Sequence, residues 1–222
     1  MASCVTFEYI RKNPDIRTYI QRADEALKSI GYTEHSFPHV EKAAATAARI
    51  LTELGYPERE IELARIAGFL HDIGNLVNRI DHSQSGAVMA FRILDNLDFE
   101  PEDIATIVTA IGNHDEGTGV PVNPIAAALI LADKTDVRRS RVRNKDMSTF
   151  DIHDRVNYSV ERSEVLLDLP GRTVTLSLSI NTEVCAVMDY FEIFLQRMLL
   201  SRKAAETLDL KFRLEINGQI LL

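Results

Sequence analysis

The stretch GFLHDIGNLVNRIDHSQSG, residues 68–86, places a histidine beside an aspartate at the end of an apolar helical pattern. The pair is His71 and Asp72, and His82 follows eleven residues after the first histidine. Adjacent side chains on a helix point about 100° apart, so the pair can straddle an ion at a helix end, here before Gly74. Imidazole and carboxylate groups together suit borderline divalent metals. The stretch therefore predicts a metal site at the end of a helix.

Six helical segments include or flank this stretch, each with apolar residues three or four positions apart. Prolines near the first turns and glycines near the ends mark several of their boundaries. Because the connections are short, consecutive helices are expected to pack as neighbours in a bundle. The segments are residues 15–31, 37–55, 57–74, 83–98, 101–115 and 123–139.

The chain changes character after about residue 160, where apolar and polar residues begin to alternate. RTVTLSLSIN (172–181) and LKFRLEIN (210–217) have the period of two that is typical of half-buried strands. VLLDL (165–169) is an earlier strand that leads into a turn, and residues 182–208 read as one long helix. The predicted fold class is mainly α, a helical bundle with a small C-terminal α+β extension in which one long helix covers a short sheet.

The predicted domain boundary lies at this change. Residues 1–160 are expected to form the helical metal-binding domain and residues 161–222 the small α+β subdomain. The alternating strands and the broad apolar helix suit a dimerisation element, so a homodimer is one expectation. A self-contained subdomain explains the same pattern equally well.

The composition is that of an ordinary globular protein, with 222 residues of which 45% are hydrophobic. No apolar run reaches the length of a membrane span, and the N-terminus lacks the apolar region of a secretory signal. Cys4 and Cys185 match no disulfide or metal framework, which favours a reducing compartment. These observations predict a cytoplasmic protein that does not enter a membrane.

The charge is unevenly distributed. A formal net charge of −8 disfavours a general nucleic-acid binder. Residues 134–145 nevertheless hold six lysines and arginines, and such a segment can attract phosphate. A solvated helix end and loop is an equally good interpretation of this segment.

Five of the six histidines fall in the helical part, at predicted helix ends or adjacent turns, where side chains of an antiparallel bundle can converge. Six ligands are more than one small tetrahedral site needs, and a carboxylate such as Asp72 has two oxygens that can bridge two ions. One or two divalent transition-metal ions, drawn from iron, manganese, zinc, cobalt and nickel, are therefore expected. The candidate ligands are His39, His71, Asp72, His82, His114 and Asp133.

The ordered set of His39, His71-Asp72 and Asp133 on successive helices resembles the HD superfamily of metal-dependent phosphohydrolases. HVEKAA, LHDIG and LILADKTD carry this resemblance, which covers roughly residues 30–140. HSQSG and NHDEGTGVP are similar to the histidine-bearing segments of the dinuclear branch, which includes the HD-GYP proteins. The resemblance implies an HD-type helical bundle and cleavage of a phosphomonoester or phosphodiester bond, with a nucleotide or another small phosphate ester as substrate.

The resemblance also implies roles for individual residues. One ion would be held by His39, His71, Asp72 and Asp133, and a second by His82 and His114, with Asp72 bridging both. Asp72 and Lys134 are the candidate catalytic residues, because a bridged ion pair activates water and a nearby cation neutralises developing charge. The candidate substrate-binding residues are His35, Lys134 and Arg138.

The chain departs from the family pattern at three points. Asn75 stands where many relatives carry a lysine thought to touch phosphate, residues 119–121 read Gly-Val-Pro in place of Gly-Tyr-Pro, and Asn113-His114 replaces a histidine doublet. These departures argue against cyclic-di-GMP turnover without removing the candidate ligands. The dipeptide His153-Asp154 has no companion ligands and is interpreted as chance.

Two other functions are compatible with the same residues. An HD-type di-iron site can also activate oxygen, which makes an oxygenase the alternative among enzymes. A non-enzymatic regulatory protein, in which the helical domain binds a metal or a nucleotide and the tail signals to a partner, is the alternative of another class.

Overall fold

The computed structural model describes residues 5–221, and within this range it contains nine α-helices and one four-stranded sheet. This agrees with the predicted fold class, a mainly helical protein with a small C-terminal sheet. The N-terminal Cys4 lies outside the described residues. The helices are α1 (Phe7–Lys12), α2 (Pro14–Ser29), α3 (Phe37–Glu53), α4 (Glu58–Leu70), α5 (His82–Asp95), α6 (Pro101–Gly112), α7 (Pro124–Lys134), α8 (Ile152–Ser159) and α9 (Val187–Thr207).

Helices α2 to α7 confirm the six segments predicted from apolar periodicity. Their first turns follow the expected signals: the side chain of Asn13 caps α2, and the side chain of Asn123 caps α7. The short helices α1 and α8 were not predicted, because six and eight residues are too few for a clear period.

Helix α7 lies at the centre of the bundle. All of its residues from Ile125 to Lys134 are buried, and it contacts α3, α4, α6 and α9. A helix that is surrounded on all sides needs no polar face, which explains its run of alanine, isoleucine and leucine. Its C-terminal turn carries Asp133 into the interior of the protein.

Close contacts between helices depend on small residues. Gly68 of α4 lies against the backbone of α3, and a Cβ atom at this position would come within 2.7 Å of Ala44 Cα. The alanines of α3 that face this contact are fully buried. The two helix backbones therefore approach more closely than larger side chains would allow, which brings the start of α3 and the end of α4 into one region.

The C-terminal sheet has the order β1-β2-β3-β4, with strands Val160–Asp168, Thr173–Ile180, Lys211–Ile216 and Gln219–Ile220. The outer pairs are antiparallel and the central β2–β3 pair is parallel, with α9 as the connection between them. The predicted apolar set of β2, at alternate positions from Val174 to Ile180, is buried. Strand β4 was not predicted, since two residues carry no alternation.

Helix α9 begins at Val187, five residues later than predicted. Residues 182–186 form a turn instead, because the side-chain and backbone oxygens of Asn181 accept hydrogen bonds from the following N–H groups. From there α9 covers the sheet and packs on α7 through buried residues that include Tyr190, Phe194 and Met198.

One continuous apolar core runs through the bundle and the C-terminal part. Strand β1 follows α8 directly at Val160, the predicted domain boundary. Independent folding of residues 161–222, and their role in dimerisation, stay predictions. Within the described part of the chain, no helix combines the length and the apolar character that crossing a membrane requires.

Candidate metal centre

The six candidate ligands lie at helix ends, as predicted, and the structure brings them together in the interior. His39 is in the first turn of α3, His71 and Asp72 directly follow α4, and His82 is the first residue of α5. His114 follows the end of α6, and Asp133 is in the last turn of α7. All six side chains are buried.

The first half of this cluster consists of His39, His71, Asp72 and Asp133. The Nε2 atoms of the two histidines are 3.3 Å apart. Asp72 Oδ2 lies 3.4 Å from His39 Nε2 and 3.3 Å from His71 Nε2. Asp133 Oδ1 lies 3.3 Å and 3.7 Å from the same two nitrogens. Two imidazoles and two carboxylates thus converge around one small volume.

The second half consists of His82 and His114 together with the other oxygen of Asp72. The Nε2 atoms of the two histidines are 3.2 Å apart, and Asp72 Oδ1 lies 3.5 Å from His82 Nε2. Asp115 is more distant, with Oδ1 at 3.9 Å from His82 Nε2. Asp72 therefore stands between the halves, with one oxygen facing each.

All four histidines are oriented in the same way, with Nε2 toward the cluster and Nδ1 away from it. His71 Nδ1 is 2.9 Å from the carbonyl oxygen of Gly68, and the Nδ1 atoms of His82 and His114 have similar backbone acceptors. His39 Nδ1 is 2.8 Å from Asp136 Oδ2. A proton on each Nδ1 satisfies these acceptors and leaves the Nε2 lone pair free for a metal.

Gly74 allows the second half of the cluster to lie close to the first. Gly74 lies in a 3-10 turn, Ile73–Leu76, and a Cβ atom there would collide with the carbonyl oxygen of His82 and the backbone of Gly86. The turn after Asp72 can therefore lie against the first turn of α5 only if residue 74 has no side chain. Asn75, in the same turn, donates a hydrogen bond of 3.0 Å to Asp72 Oδ1 and orients the carboxylate.

The carboxylates of the first half raise the pKa values of its histidines. Burial alone would lower the pKa of His71, but Asp72 and Asp133 outweigh it and raise the pKa to about 10. Burial and a nearby arginine also lower the pKa of His39, yet the carboxylates of Asp133, Asp136 and Asp72 raise it above its ordinary value. Burial alone would raise the pKa values of Asp72 and Asp133. The neighbouring His71, His39 and Lys134 outweigh burial, so both pKa values are well below the ordinary value.

In the second half, the pKa values of the histidines are lowered instead of raised. Burial is the main cause that lowers the pKa of His114 well below its ordinary value, and the nearby His71 and Lys134 lower it further. Burial likewise lowers the pKa of His82, where Asp72 only partly compensates. These two rings are therefore neutral near physiological pH, which is the form that binds a metal.

The donor set fits a divalent metal. Three combinations of ligand atoms lie within 4.8 Å of one another: His39 with His71 and Asp72, His71 with His114 and Asp133, and Asp72 with His82 and His114. Asp72 Oδ2 is buried and makes no hydrogen bond of normal geometry among residues 5–221, although His71 Nε2 and His39 Nε2 lie 3.3 Å and 3.4 Å away. Since a buried carboxylate oxygen without a partner is costly, a cation at this position would satisfy it.

Two of the three predicted substrate-binding residues line a cavity beside the cluster. This inner recess is bordered by His35 and Lys134 together with Asp72, His82 and Asp133. Lys134 Nζ lies 2.8 Å from Asp133 Oδ2 and 2.6 Å from Glu116 Oε2. Burial lowers the pKa of this lysine, but Asp133 and Glu116 outweigh it and raise the pKa, so the amine is charged.

Arg138 lies behind the cluster instead. Its guanidinium group contacts Asp136 at 3.0 Å and Glu34 at 3.1 Å, and it is not among the described residues that border the recess. The structure thus places it next to the carboxylate that orients His39, and its predicted contact with substrate stays a prediction.

Asp136 was not predicted as part of the site. Its carboxylate accepts a hydrogen bond from His39 and forms ion pairs with Lys42, Arg138 and Arg141. Burial raises the pKa of this carboxyl group, but the His39 hydrogen bond and the surrounding cations lower it well below its ordinary value. The sequence offered one indication of its role, because residues three positions apart at a helix end lie on the same side and Asp136 follows Asp133 by three residues.

Three arginines line the recess as well: Arg141, which lies in the basic segment noted in the sequence, and Arg79 and Arg197, which were missed. The recess shares four of its lining residues with a larger outer cleft of about 420 Å³. One wall of the outer cleft includes Asp151, His153 and Asp154 at the start of α8. The His153-Asp154 dipeptide, interpreted as chance, therefore lies on the cleft and not in the cluster.

Comparison with known proteins identifies the family to which the chain belongs. The profile of the HD domain matches residues 36–155, which is more than half of the chain. An uncharacterized protein of Methanocaldococcus jannaschii is 27% identical over 183 residues, covering 72% of this chain and 70% of its own length. A crystal structure of a predicted HD superfamily hydrolase from an uncultured Thermotogales bacterium is 25% identical, covers 59% of this chain and 73% of its own, and superposes with a TM-score of 0.44. With its histidines and aspartates assembled at the helix ends, the chain belongs to the HD domain family.

Proposed function

We propose that the protein is a metal-dependent phosphohydrolase that cleaves a small phosphate ester at a dinuclear site. Membership of the HD domain family supports a metal-dependent hydrolase. The observation that carries the dinuclear site is the position of Asp72, whose two oxygens face two separate pairs of histidines. A bridging carboxylate between two imidazole pairs is the arrangement that two ions would need.

In this proposal, His39, His71, Asp72 and Asp133 hold one ion, and His82, His114 and Asp72 hold the other. The expected metals are iron, manganese, zinc, cobalt or nickel, which accept mixed nitrogen and oxygen ligands. When bound, such ions acidify water and polarise phosphoryl oxygens.

The chain's own residues would prepare the site for this chemistry. The Nδ1 contacts orient the four imidazoles, so little reorganisation is needed when ligands bind. Lys134, held between Asp133 and Glu116, places a charged amine at the recess, where it can stabilise negative charge that develops on a phosphoryl group.

His35 supplies a neutral polar group at the recess. Its Nδ1 is 2.7 Å from the carbonyl oxygen of Thr33, which leaves Nε2 as an acceptor for a substrate hydroxyl. Burial and then Arg141 lower its pKa well below the ordinary value, so the ring is uncharged. A nucleotide is the substrate expected from the resemblance, and both phosphomonoesters and phosphodiesters belong in the first screen.

The test is metal analysis of the purified protein, followed by hydrolysis assays on monoesters, diesters and nucleotides with each of the five metals. Wild type is expected to hydrolyse at least one ester class, and Asp72→Asn is expected to be inactive. Asp95→Asn, a matched change of an exposed carboxylate on α5, should leave activity unchanged. Equal activity of wild type and Asp72→Asn across the panel would contradict the proposal, and metal-dependent oxygen uptake without hydrolysis would favour the oxygenase alternative.

A further inference from the structure

Four side chains line both the inner recess and the outer cleft, and we call them the collar: His35, Arg79, Arg141 and Arg197. Because they border both cavities, they lie between the outer cleft and the cluster. Three of the four carry a guanidinium group, so the collar is strongly cationic.

Two of the guanidinium groups donate hydrogen bonds to other parts of the protein. Arg141 is buried and donates to the backbone carbonyl oxygens of Glu34 and Asp136, both at 2.9 Å. Arg197, from α9, donates to Glu116 Oε1 at 3.1 Å and lies over the ring of Phe194. These contacts hold both groups in place at the collar and offset part of their charge.

Arg79 makes longer contacts with its neighbours than the other two arginines do. Its Nη1 atom is 3.5 Å from Asn75 Oδ1 and 3.3 Å from His82 Nε2, and its guanidinium group lies 5.5 Å from the ring of Tyr32. Nowhere in the described part of the chain does a carboxylate come within ion-pair distance of it. If His82 uses its Nε2 lone pair as a ligand, Arg79 Nη1 needs another acceptor. A phosphoryl oxygen at the recess would provide one.

One wall of the outer cleft has the opposite charge. This wall, at the start of α8, holds Asp151 and Asp154, which have no lysine or arginine within ion-pair distance among residues 5–221. The side chain of Asp151 caps α8, so its carboxylate is held at this wall. The cleft is therefore cationic at its inner end and anionic at this part of its outer end.

We propose that the cleft binds a phosphate ester in one orientation, with Arg79 as the residue that holds its phosphoryl group at the recess. The organic part of the substrate then lies in the outer cleft and is uncharged or cationic, because a second anionic group would face Asp151 and Asp154. The inference rests on the proposed function and deepens it. It also makes α9, through Arg197, part of the substrate cleft.

The first test measures binding of inorganic phosphate to the metal-loaded protein by titration calorimetry. Arg79→Ala is expected to weaken the affinity roughly 10- to 100-fold, because a charge-assisted hydrogen bond is lost. Arg79→Lys should fall between the two, since a lysine keeps the charge without the guanidinium fork. Arg92→Ala, a change of an exposed arginine on α5, is the matched control and should bind like wild type.

Metal content, measured on the same samples, separates this inference from the proposed function. Arg79→Ala is expected to retain its metal. If wild type hydrolyses esters and Arg79→Ala binds phosphate as tightly as wild type does, the inference is wrong and the function stands. If wild type holds no metal and cleaves no ester, the proposed function fails whatever Arg79 does.

The second test examines orientation with aminoalkyl and carboxyalkyl phosphates of equal chain length, from two to six carbons. We expect the best aminoalkyl phosphate to bind roughly three- to tenfold more tightly than its carboxyalkyl partner, an effect of the size that partly exposed charges produce. Asp151→Asn combined with Asp154→Asn should remove the difference, and asparagine can still cap the helix. Equal or tighter binding of the carboxyalkyl series to wild type, or no binding of either series, would overturn the proposal.

Discussion

The two halves of the buried cluster have the same number of histidines but different surroundings. The first half surrounds His39 and His71 with the carboxylates of Asp72 and Asp133. In the second half, Asp72 Oδ1 lies 3.5 Å from His82 Nε2, and Asp115 Oδ1 is more distant at 3.9 Å. The pKa values follow this difference, since they are raised in the first half and lowered in the second.

This difference suggests that the two halves of one cluster bind metal ions with unequal affinity. More anionic ligands mean stronger attraction for a divalent cation, so the first half should bind the tighter ion. The first half also has the stronger outer support, because His39 is oriented by the carboxylate of Asp136 while the other three histidines are oriented by backbone carbonyls. The second half, which has fewer carboxylates beside its histidines, should bind the more exchangeable ion.

The largest effect is expected from Asp72→Asn, because this change removes the carboxylate shared by both halves. Metal content should fall at both positions, and hydrolysis should fall on the order of 10³-fold or more, since metal activation contributes several kcal/mol. Elemental analysis and initial rates measure both results. Retention of full metal content would show that the halves do not depend on a shared carboxylate.

A smaller effect should distinguish the halves from each other. Asp133→Asn removes a ligand of the first half only, and His82→Gln removes one of the second half only. Each variant is expected to lose about one ion per chain and to lose activity by roughly 100-fold, less than Asp72→Asn, because the other half is intact. Competition with a metal chelator should show that the ion left in His82→Gln is the tighter one. The opposite ranking would contradict the comparison.

Asp136→Asn should weaken the first half without removing a ligand. Loss of the carboxylate that accepts from His39 Nδ1 is expected to lower metal affinity in this half about 10- to 100-fold, the usual cost of changing such a support. The second half should be unaffected. Lys42→Met is a suitable control, because it removes an ion pair of Asp136 at 2.8 Å and leaves His39 untouched. Equal effects of the two variants would assign Asp136 a merely structural role.

The smallest effect is the number of protons released when metal binds. The pKa of His71 is raised to about 10, so at about pH 7 the metal-free ring carries a proton that the first ion must displace. Burial lowers the pKa values of His82 and His114, so the second ion displaces few protons. Calorimetry in buffers of different ionisation enthalpy should therefore detect about one proton or more for the first equivalent and few for the second.

The same pKa shift has a consequence for pH dependence. Because the pKa of His71 is above its unfolded value, the stability that its protonation contributes to the metal-free protein is present below about pH 6.5 and is lost as the pH rises through about 10. Over the same rise the competing proton disappears, so the affinity of the first half for metal increases. Thermal unfolding with and without metal should show these opposite trends, and parallel trends would contradict the assignment.

Much of the cluster was predictable because its residues lie where periodic patterns end. Apolar periodicity located the helices, and helix ends located His39, His71, His82 and Asp133 without any knowledge of contacts. The strands of the tail were predictable for the same reason, since a period of two specifies which side chains face the core. The short α1, α8 and β4 were not, because they are too short to display a period.

The supporting and collar residues were not predictable in the same way. Asp136 and His39 are 97 positions apart, and the spacing of Asp136 from Asp133 suggests a place near the cluster without indicating that it meets His39. Arg197 lies in a helix of the C-terminal part, where its neighbours indicate only an amphipathic surface. Arg79 follows a 3-10 turn whose direction depends on the packing of Gly74 against α5.

The amino-acid sequence by itself determined the order of the helices, the ends at which histidines and aspartates occur, and the alternation of the tail, because these depend on short-range backbone and burial preferences. Only the tertiary structure decided which oxygen of Asp72 faces which histidines, that Asp136 supports His39, and that Arg79 and Arg197 border one recess. Those facts depend on how closely helices pack, as at Gly68 and Gly74, and side-chain convergence over long chain separations follows from that packing.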